Sequence, residues 1–410
     1  MSFFKRPSSS NRYGAIIEIG SGSVLVAIVN SVSNVKHPSI IWSHREHVPL
    51  KNIDSIEQSA NAVMASLVNT AMLLDSEGRK ALREYNSQAK LTELQCSIAA
   101  PWSYTVTKTI NYEQEEAFEI NQDLIDELLE TIEKKISAEL MENESLQNLG
   151  LSVITKHTMD LSTNGYTVEN PIGNKANSLV ISQASAVTQK YLVDAIAELQ
   201  EKLFPKLELK KISFILMLYS VTRDIMAKKD NVCLIDITYE ATEIGIVRDG
   251  VLTYCTHTPF GSFSLAREIA EITKVPLIEA FGYLHSEMPY SFMESITAEQ
   301  KDDVETVFEN YIMRIYELFK ETGDSLTIPR HVSLHADLKS EPLFLDLISK
   351  AAKRSTESKV QITPISLEIA KICYIVRENS PKTVIPDDSA LLLSAQFFHN
   401  QTKPDSFKYY

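Results

Sequence analysis

Residues that could hold a phosphate group cluster in one short turn near the start of the sequence. The segment AIIEIGSGSVLVAIV (15–29) reads as two apolar strands joined by Gly20-Ser21-Gly22-Ser23. Glycine lets the backbone approach a ligand closely, and an acid, Glu18, stands just before the turn. A plain two-residue hairpin turn needs less glycine. The spacing therefore indicates a phosphate-binding turn, with a simple hairpin beside a half-buried acid as the alternative.

The elements around this turn follow an order typical of an α/β protein. Apolar runs predict strands at 13–19, 23–30 and 39–48, and apolar residues at helical spacing predict a helix over 55–74. A further apolar run at 94–101 predicts a buried strand. The order in this part of the chain is therefore β-β-β-α-β.

The same order recurs in the second half of the chain. Strands are predicted at 231–238, 241–250 and 251–260, and Asp249-Gly250 is a strong hairpin signal. The pattern then predicts, in order, helices at 262–273, 276–285 and 298–320, a strand at 330–336, a helix at 341–353, a strand at 358–363 and a helix at 387–398. In each half, the first strand ends near an acidic residue and continues into a hairpin. Two halves with this shared order predict a duplicated α/β architecture.

A different pattern separates the two halves. Alternating residues predict a strand at 103–112, and Asn121 is a good N-cap for an amphipathic helix over 121–140. Two more strands, at 151–162 and 178–187, complete a small inserted unit. The sequence that leads from this unit into the second half predicts a helix at 187–204 and a strand at 211–217.

Composition narrows the classes of function. The formal net charge of −14 over 410 residues disfavours nucleic acid and anionic lipid as main partners. The longest apolar runs have the length of a strand, well short of the roughly 20 residues that span a bilayer. The four cysteines have no metal-binding spacing, and we expect neither a metal site nor a nucleophilic catalytic set. Residues 1–12 are expected to be disordered.

Three stretches resemble a known family. IEIGSGSV (17–24) is similar to the first phosphate loop of the actin-like ATPase superfamily, and LIDITYEATEIGIVRDG (234–250) is similar to its second phosphate loop and hairpin. DLSTNGYTVENPIGNKANSLVISQASAV (160–187) resembles the insert that distinguishes the bacterial cell-division protein FtsA and the type IV pilus-assembly protein PilM. The chain is identified as a divergent member of this FtsA/PilM family.

The resemblance implies a particular fold and division into domains. The expected fold is α/β and actin-like (ribonuclease H-like), duplicated into two domains around a central cleft, with a small α+β inserted subdomain. The first domain would comprise 13–101, 187–228 and 375–410. The inserted, partner-binding subdomain would comprise 102–186, and the second domain 229–374.

The resemblance also implies where a nucleotide would bind. In the family the two hairpin loops face each other across the cleft, their backbone N–H groups hold the phosphates, and an acid holds the waters of a magnesium ion. Carried over position by position, the candidate phosphate and magnesium contacts are Glu18, Gly20, Ser21, Gly22, Ser23, Asp236, Thr238 and Thr242.

Two of the family's three nucleotide contacts depart from its pattern here. The glycines of the second loop are replaced by Tyr239, Glu240 and Ala241. A glutamate facing a phosphate about 4 Å away would repel it by roughly 4 kcal/mol. Where the family has glycines against the adenine, this chain has His335, Ala336, Asp337 and Leu338. The sequence leaves open whether Glu240 points into the cleft.

These departures predict a nucleotide cleft that has decayed, with no cofactor or only weak binding of ATP and Mg²⁺, and with no catalytic residue. The expected function is that of a scaffold at the cytoplasmic face of the bacterial inner membrane, in cell-division or type IV pilus machinery. Partner proteins would bind through 102–186, and self-association is a further expectation. The tail QFFHNQTKPDSFKYY (396–410) is not a basic amphipathic helix, so membrane contact would be indirect.

Two other functions remain open from the sequence. An FtsA-type protein that binds ATP and forms filaments would need a working second loop despite Glu240. A sugar or acetate kinase of the same fold would need both loops, the adenine-facing glycines and a catalytic base. The response of the protein to magnesium-ATP separates these alternatives from the scaffold.

Overall fold

The fold is described from a computed structural model. The structure describes residues 11–33, 35–49, 55–142, 150–168, 170–225, 231–321, 328–336, 340–356, 359–365 and 388–401. Residues 1–10, Asp337 and Leu338, Cys373 and most of the tail lie outside the described residues. The domain boundaries given above stay a prediction.

The strands form three sheets. In chain order, the strands of the described part are β1 (Asn11–Ile19), β2 (Ser23–Val32), β3 (Ser39–His47), β4 (Leu91–Ile98), β5 (Ser103–Glu119), β6 (Leu151–Thr163), β7 (Tyr166–Thr167), β8 (Lys175–Gln189), β9 (Glu208–Ser213), β10 (Val232–Ile237), β11 (Thr242–Arg248), β12 (Val251–Thr258), β13 (His331–Ala336) and β14 (Gln361–Pro364).

Two of the sheets have five strands each and share one topology. Their strand orders are β3-β2-β1-β4-β9 and β12-β11-β10-β13-β14. In both, the opening hairpins are antiparallel, and the central strand (β1 or β10) pairs in parallel with the fourth strand of its half (β4 or β13). The matching orders confirm the predicted duplicated α/β fold. The central strands are buried on both faces, which explains their nearly continuous apolar sequence.

The helices cover these sheets. In chain order, those in the described part are α1 (Ile56–Leu73), α2 (Arg79–Tyr85), α3 (Gln122–Glu142), α4 (Lys190–Leu203), α5 (Phe214–Ile225), α6 (Ser262–Thr273), α7 (Leu277–Leu284), α8 (Ala298–Lys320), α9 (Glu341–Ser355) and α10 (Ser389–Asn400). A π-helical turn (Leu74–Gly78) joins α1 to α2, and a 3₁₀ turn covers Ser291–Ser295. Among the described helices, none is both long and apolar enough to cross a membrane.

The third sheet belongs to the inserted unit. It is antiparallel, with the order β5-β8-β6-β7, and helix α3 packs against it. Ile132 from the helix and Ile110 and Ile181 from the sheet are buried in a separate apolar core. The predicted α+β character of the insert is therefore present in the structure.

Helices α5 and α10 pack in a core to which both five-stranded sheets contribute. Ile16 of β1 and Leu234 of β10 belong to it, together with Met217 of α5 and Leu393 of α10. This shared core brings the two halves together below their hairpin turns.

One predicted element is wrong. The strand predicted at 211–217 is in fact the end of β9, which stops at Ser213, followed at once by helix α5 from Phe214. Residues 212–218 are all buried, because the strand end and the first turns of the helix both lie in the core. A continuous apolar run of this length does not distinguish a buried strand from a buried helix.

Candidate functional site

The two hairpin turns that the sequence singled out are in direct contact. Gly20–Gly22 joins β1 to β2, and Thr238–Ala241 joins β10 to β11. The Ser21 hydroxyl donates a 2.8 Å hydrogen bond to Thr238 Oγ1 and accepts one of 2.9 Å from the backbone N–H of Glu240. All three residues are buried. The turns therefore bind each other across the junction of the two halves.

The side chain of Tyr239 fills the space beside Gly22. A Cβ atom placed on Gly22 would lie 2.3 Å from Cγ of Tyr239, so the ring lies directly against the glycine backbone. The ring centroid lies 4.5 Å from that of Phe263 and 5.6 Å from that of Phe281, and the hydroxyl is 3.1 Å from Nδ1 of His47. Gly22 thus makes room for an aromatic side chain of the same protein.

Glu240 does not face the first turn. Its carboxylate forms a two-pronged ion pair with Arg267 of α6, in which Nη1 donates to Oε2 at 2.9 Å and Nη2 donates to Oε1. The hydroxyl of Ser59, on α1, also donates to Oε1. The glutamate is only 2% exposed, and its bond to Ser59 ties the second half of the protein to the first. The repulsion of a phosphate considered from the sequence therefore does not apply to this arrangement.

Glu18 is paired with an arginine. Nη2 of Arg45, on β3, lies 3.0 Å from Glu18 Oε2, and Nη1 donates to the Ser23 hydroxyl at 2.6 Å. The same guanidinium donates to both oxygens of Asp388, at 2.6 and 3.0 Å. Burial alone would raise the pKa of Asp388, but the charge and hydrogen bonds of Arg45 outweigh it and hold that pKa below its usual range. A cationic side chain thus stands beside the acid that would serve a magnesium ion.

Asp236 is bound to a histidine. Its Oδ1 lies 2.7 Å from Nδ1 of His335, which is its parallel neighbour on β13. Nε2 of the same ring lies 3.1 Å from the hydroxyl of Ser389, the first residue of α10. Glu243 is the antiparallel neighbour of Asp236 on β11, and burial together with the Asp236 charge raises the pKa of Glu243 well above its usual value. Asp236 is therefore part of a buried acid–histidine row.

The remaining predicted residues serve the backbone and the core. Nε1 of the buried Trp102 donates a 3.0 Å hydrogen bond to the carbonyl oxygen of Gly20. The Thr242 hydroxyl donates to the carbonyl of Phe260 at 2.9 Å and lies 2.9 Å from the Tyr311 hydroxyl. Gly20 is thus part of the junction between the turn and β5, whereas Thr242 faces the core of the second half.

The structure does not bring all of the predicted residues together in one place. Ser21, Gly22 and Thr238 meet at the contact between the turns, whereas Glu18 and Ser23 meet at Arg45. Gly20 binds Trp102, Asp236 binds His335, and Thr242 contacts Phe260 and Tyr311. Among the residues that the structure describes, no group of three or more His, Cys, Asp or Glu side chains could hold a metal ion.

Arg45, Arg267 and Asp388 are among the residues of this site that escaped the sequence analysis. Arg45 lies on β3, and its side chain is only 13% exposed. The sequence signal that could have identified Arg45 was a charged residue within a strand, β3, that follows two buried strands. Its partners lie 27 and 343 positions away in the sequence, so only the folded topology reveals them.

Comparison with known proteins supports the fold. No protein-family model matches the chain, and no curated protein matches it. The PilM protein of a PilM–PilN type IV pilus biogenesis complex is similar at 12% identity, with a TM-score of 0.57, over 94% of this chain and 98% of that one. The ethanolamine utilization protein EutJ of Carboxydothermus hydrogenoformans gives a TM-score of 0.43 at 11% identity, over 96% of this chain and 91% of that one.

The similarity to PilM extends over nearly the whole of both chains, and the two five-stranded sheets repeat one strand order. The fold predicted from the phosphate-loop stretches and the insert is therefore confirmed. The chain has the actin-like ATPase fold and is similar in structure to PilM.

Proposed function

We propose that this protein is an actin-like scaffold whose nucleotide cleft has lost its ligand. The observation that carries the proposal is the contact between the hairpin turns, where Tyr239 lies against Gly22 and Ser21 binds Thr238. In the family these are the places where backbone N–H groups meet phosphates. Here the same places are occupied by side chains of the protein itself.

The residues present do not fit magnesium-ATP as they are arranged. A triphosphate needs bare backbone at both turns, and Tyr239 covers Gly22. The carboxylate of Glu18 already has the guanidinium of Arg45 as a counter-ion 3.0 Å away, so a divalent cation would compete with that ion pair. The glycine at position 22 suggested a phosphate-binding turn, but its contact with the Tyr239 ring explains why this position has no side chain.

Because the two hairpin turns are bound to each other, the two halves of the protein keep a fixed orientation. Glu240, Arg267 and Ser59 form one tether across the junction, and the Ser21–Thr238 hydrogen bond forms another. An actin-like protein that uses ATP changes the angle between its halves as the nucleotide changes. A protein with its turns tied together instead offers partners a constant surface, which is what a scaffold requires.

The partners are proposed by analogy of fold. The similar PilM was determined as part of a complex with PilN. We infer that this chain likewise acts through protein contacts, in pilus or cell-division machinery at the cytoplasmic face of the inner membrane, with the inserted unit as the contact surface. That unit stands on its own core and carries exposed apolar residues such as Tyr166 and Ile172.

Site-specific cross-linking in bacterial cells tests this proposal. A photoreactive phenylalanine analogue would replace Tyr166, which is 77% exposed on the insert, or Ile278, which is 68% exposed on α7. We expect position 166 to capture proteins of the division or pilus machinery, and position 278 to serve as the control. Capture of the same proteins at both positions, or of no envelope protein at position 166, would contradict the scaffold proposal.

A further inference from the structure

The inserted unit contains a cavity of about 330 Å³ between helix α3 and the sheet. Its lining comes from α3, from strands β6 and β8, and from the segment that precedes β8. The apolar part of the lining consists of Ile125, Leu129, Leu161, Pro171 and Ile172. An apolar cavity of about 150 Å³ binds benzene, so this one has room for an aromatic or branched side chain and part of a second.

Acidic side chains of α3 line one side of this cavity. Asp126, Glu130 and Glu133 follow one another at helical spacing along it. Each already has a partner within the protein: Gln122 donates to Asp126 at 2.8 Å, Lys134 lies 3.7 Å from Glu130, and Lys156 pairs with Glu133. Exposed pairs of this kind contribute little to stability. A cationic ligand could therefore replace these partners at little cost.

Two polar groups in the lining lack partners. Gln183 on β8 is 2% exposed, and its Oε1 atom accepts no hydrogen bond from the residues that the structure describes. The hydroxyl of Thr158, opposite Gln183 on β6, is likewise buried and unpartnered among those residues. A buried polar group without a hydrogen-bond partner destabilises the folded protein. A ligand with N–H donors would satisfy them.

We propose that this cavity binds a segment of a partner protein in which an apolar side chain stands next to an arginine or lysine. The apolar side chain enters the cavity between Leu129 and Leu161. The cationic group donates hydrogen bonds to Gln183 Oε1 and to the carboxylates of Asp126 and Glu130. The excess of acids along α3, seven against two lysines, favours a basic partner. This inference rests on the proposed scaffold function and names the chemistry of its contact surface.

The test selects hexapeptides from a phage-displayed random library on the immobilised full-length chain, and measures the affinity of the enriched peptides by fluorescence anisotropy. We expect enriched peptides to contain Phe, Leu or Ile beside Arg or Lys. Leu161→Trp, which fills the cavity, should weaken their binding at least tenfold. Asp126→Asn with Glu130→Gln should weaken it about five- to tenfold.

A matched control and a third variant keep the test independent of folding. Asp123→Asn with Glu127→Gln removes the same charge from the same helix outside the cavity, and should leave peptide affinity unchanged. Gln183→Met keeps the volume but removes the unpartnered amide oxygen, so the melting temperature should hold or rise while affinity falls about tenfold.

Enrichment of acidic peptides would overturn the inference, as would equal losses in the Asp126/Glu130 and Asp123/Glu127 variants. Absence of any enrichment over the Leu161→Trp chain would overturn it as well. If cross-links at position 166 persist in that last case, the cavity assignment fails and the scaffold function stands.

Discussion

Removal of the arginine that holds Glu240 should destabilise the protein strongly. Glu240 is 2% exposed, and its two carboxylate oxygens are bound by Arg267. In Arg267→Met, the Ser59 hydroxyl is the one carboxylate partner left among the residues that the structure describes. Breaking a buried ion pair by removing one partner costs about 3–5 kcal/mol, because an uncompensated charge stays in the interior. We expect a loss of this size in the free energy of unfolding at pH 7.

Removal of the glutamate instead of the arginine should destabilise the protein less. The side chain of Arg267 is 23% exposed, so in Glu240→Met its guanidinium can turn towards water. A loss of about 1 kcal/mol is expected, mainly from the hydrogen bonds of a charged group. The double variant removes both charges and replaces them with apolar volume, which is often nearly neutral. It should therefore lie within about 1–2 kcal/mol of the wild type.

Urea unfolding of the wild type, the two single variants and the double variant, followed by tryptophan fluorescence, measures the coupling between positions 240 and 267. A coupling energy of about 2 kcal/mol or more between the two positions is expected. Arg83→Met, which removes an exposed arginine from α2, should change stability by less than about 0.5 kcal/mol. Losses that simply add in the double variant, or an Arg267→Met loss no larger than that of Arg83→Met, would refute the account of this tether.

Three further predictions concern the same junction and the insert. Gly22→Ala should lower the free energy of unfolding by about 1–3 kcal/mol, because the new Cβ would lie 2.3 Å from the Tyr239 ring. In a protein that also carries Tyr239→Ala, the same substitution should cost less than about 1 kcal/mol. Thermal unfolding measures both losses. Trp102→Phe should cost about 1 kcal/mol in the same assay, because the Gly20 carbonyl loses its donor; no change would show that water replaces the indole. Burial lowers the pKa of His157 from 6.5 to about 4, so the unfolded state binds the proton more readily and stability falls as pH drops below 6.5. Between pH 7 and pH 5 this histidine should account for a loss of about 2 kcal/mol, and His157→Phe should flatten the pH dependence of the urea midpoint by that amount.

Much of the fold was predictable because it depends on local patterns. The central strands β1 and β10 are buried on both faces and read as unbroken apolar runs, and Asp249-Gly250 marks a hairpin directly. Helix α8 begins at a capping box formed by Thr297 and Gln300, which sets the predicted start of that helix. The boundary between β9 and α5 was not predictable, because burial hides the change of period.

The site was less predictable than the fold. The sequence identified Tyr239, Glu240 and His335 as departures from a phosphate-binding pattern, but not what each contacts. The guanidinium groups that hold Glu18 and Glu240 come from Arg45 and Arg267, which lie 27 residues away in each case. Such pairs depend on how strands and helices are arranged around the junction, and no local spacing specifies them.

The central claim is that side chains of the protein occupy the place of a nucleotide. Thermal unfolding of the full-length chain over a titration of magnesium-ATP up to several millimolar tests this claim most directly. The account predicts no change in melting temperature beyond that caused by magnesium chloride alone. A saturable rise, equivalent to about 2.7 kcal/mol at one hundred times the dissociation constant, would contradict it, above all if Gly20→Val abolished the rise.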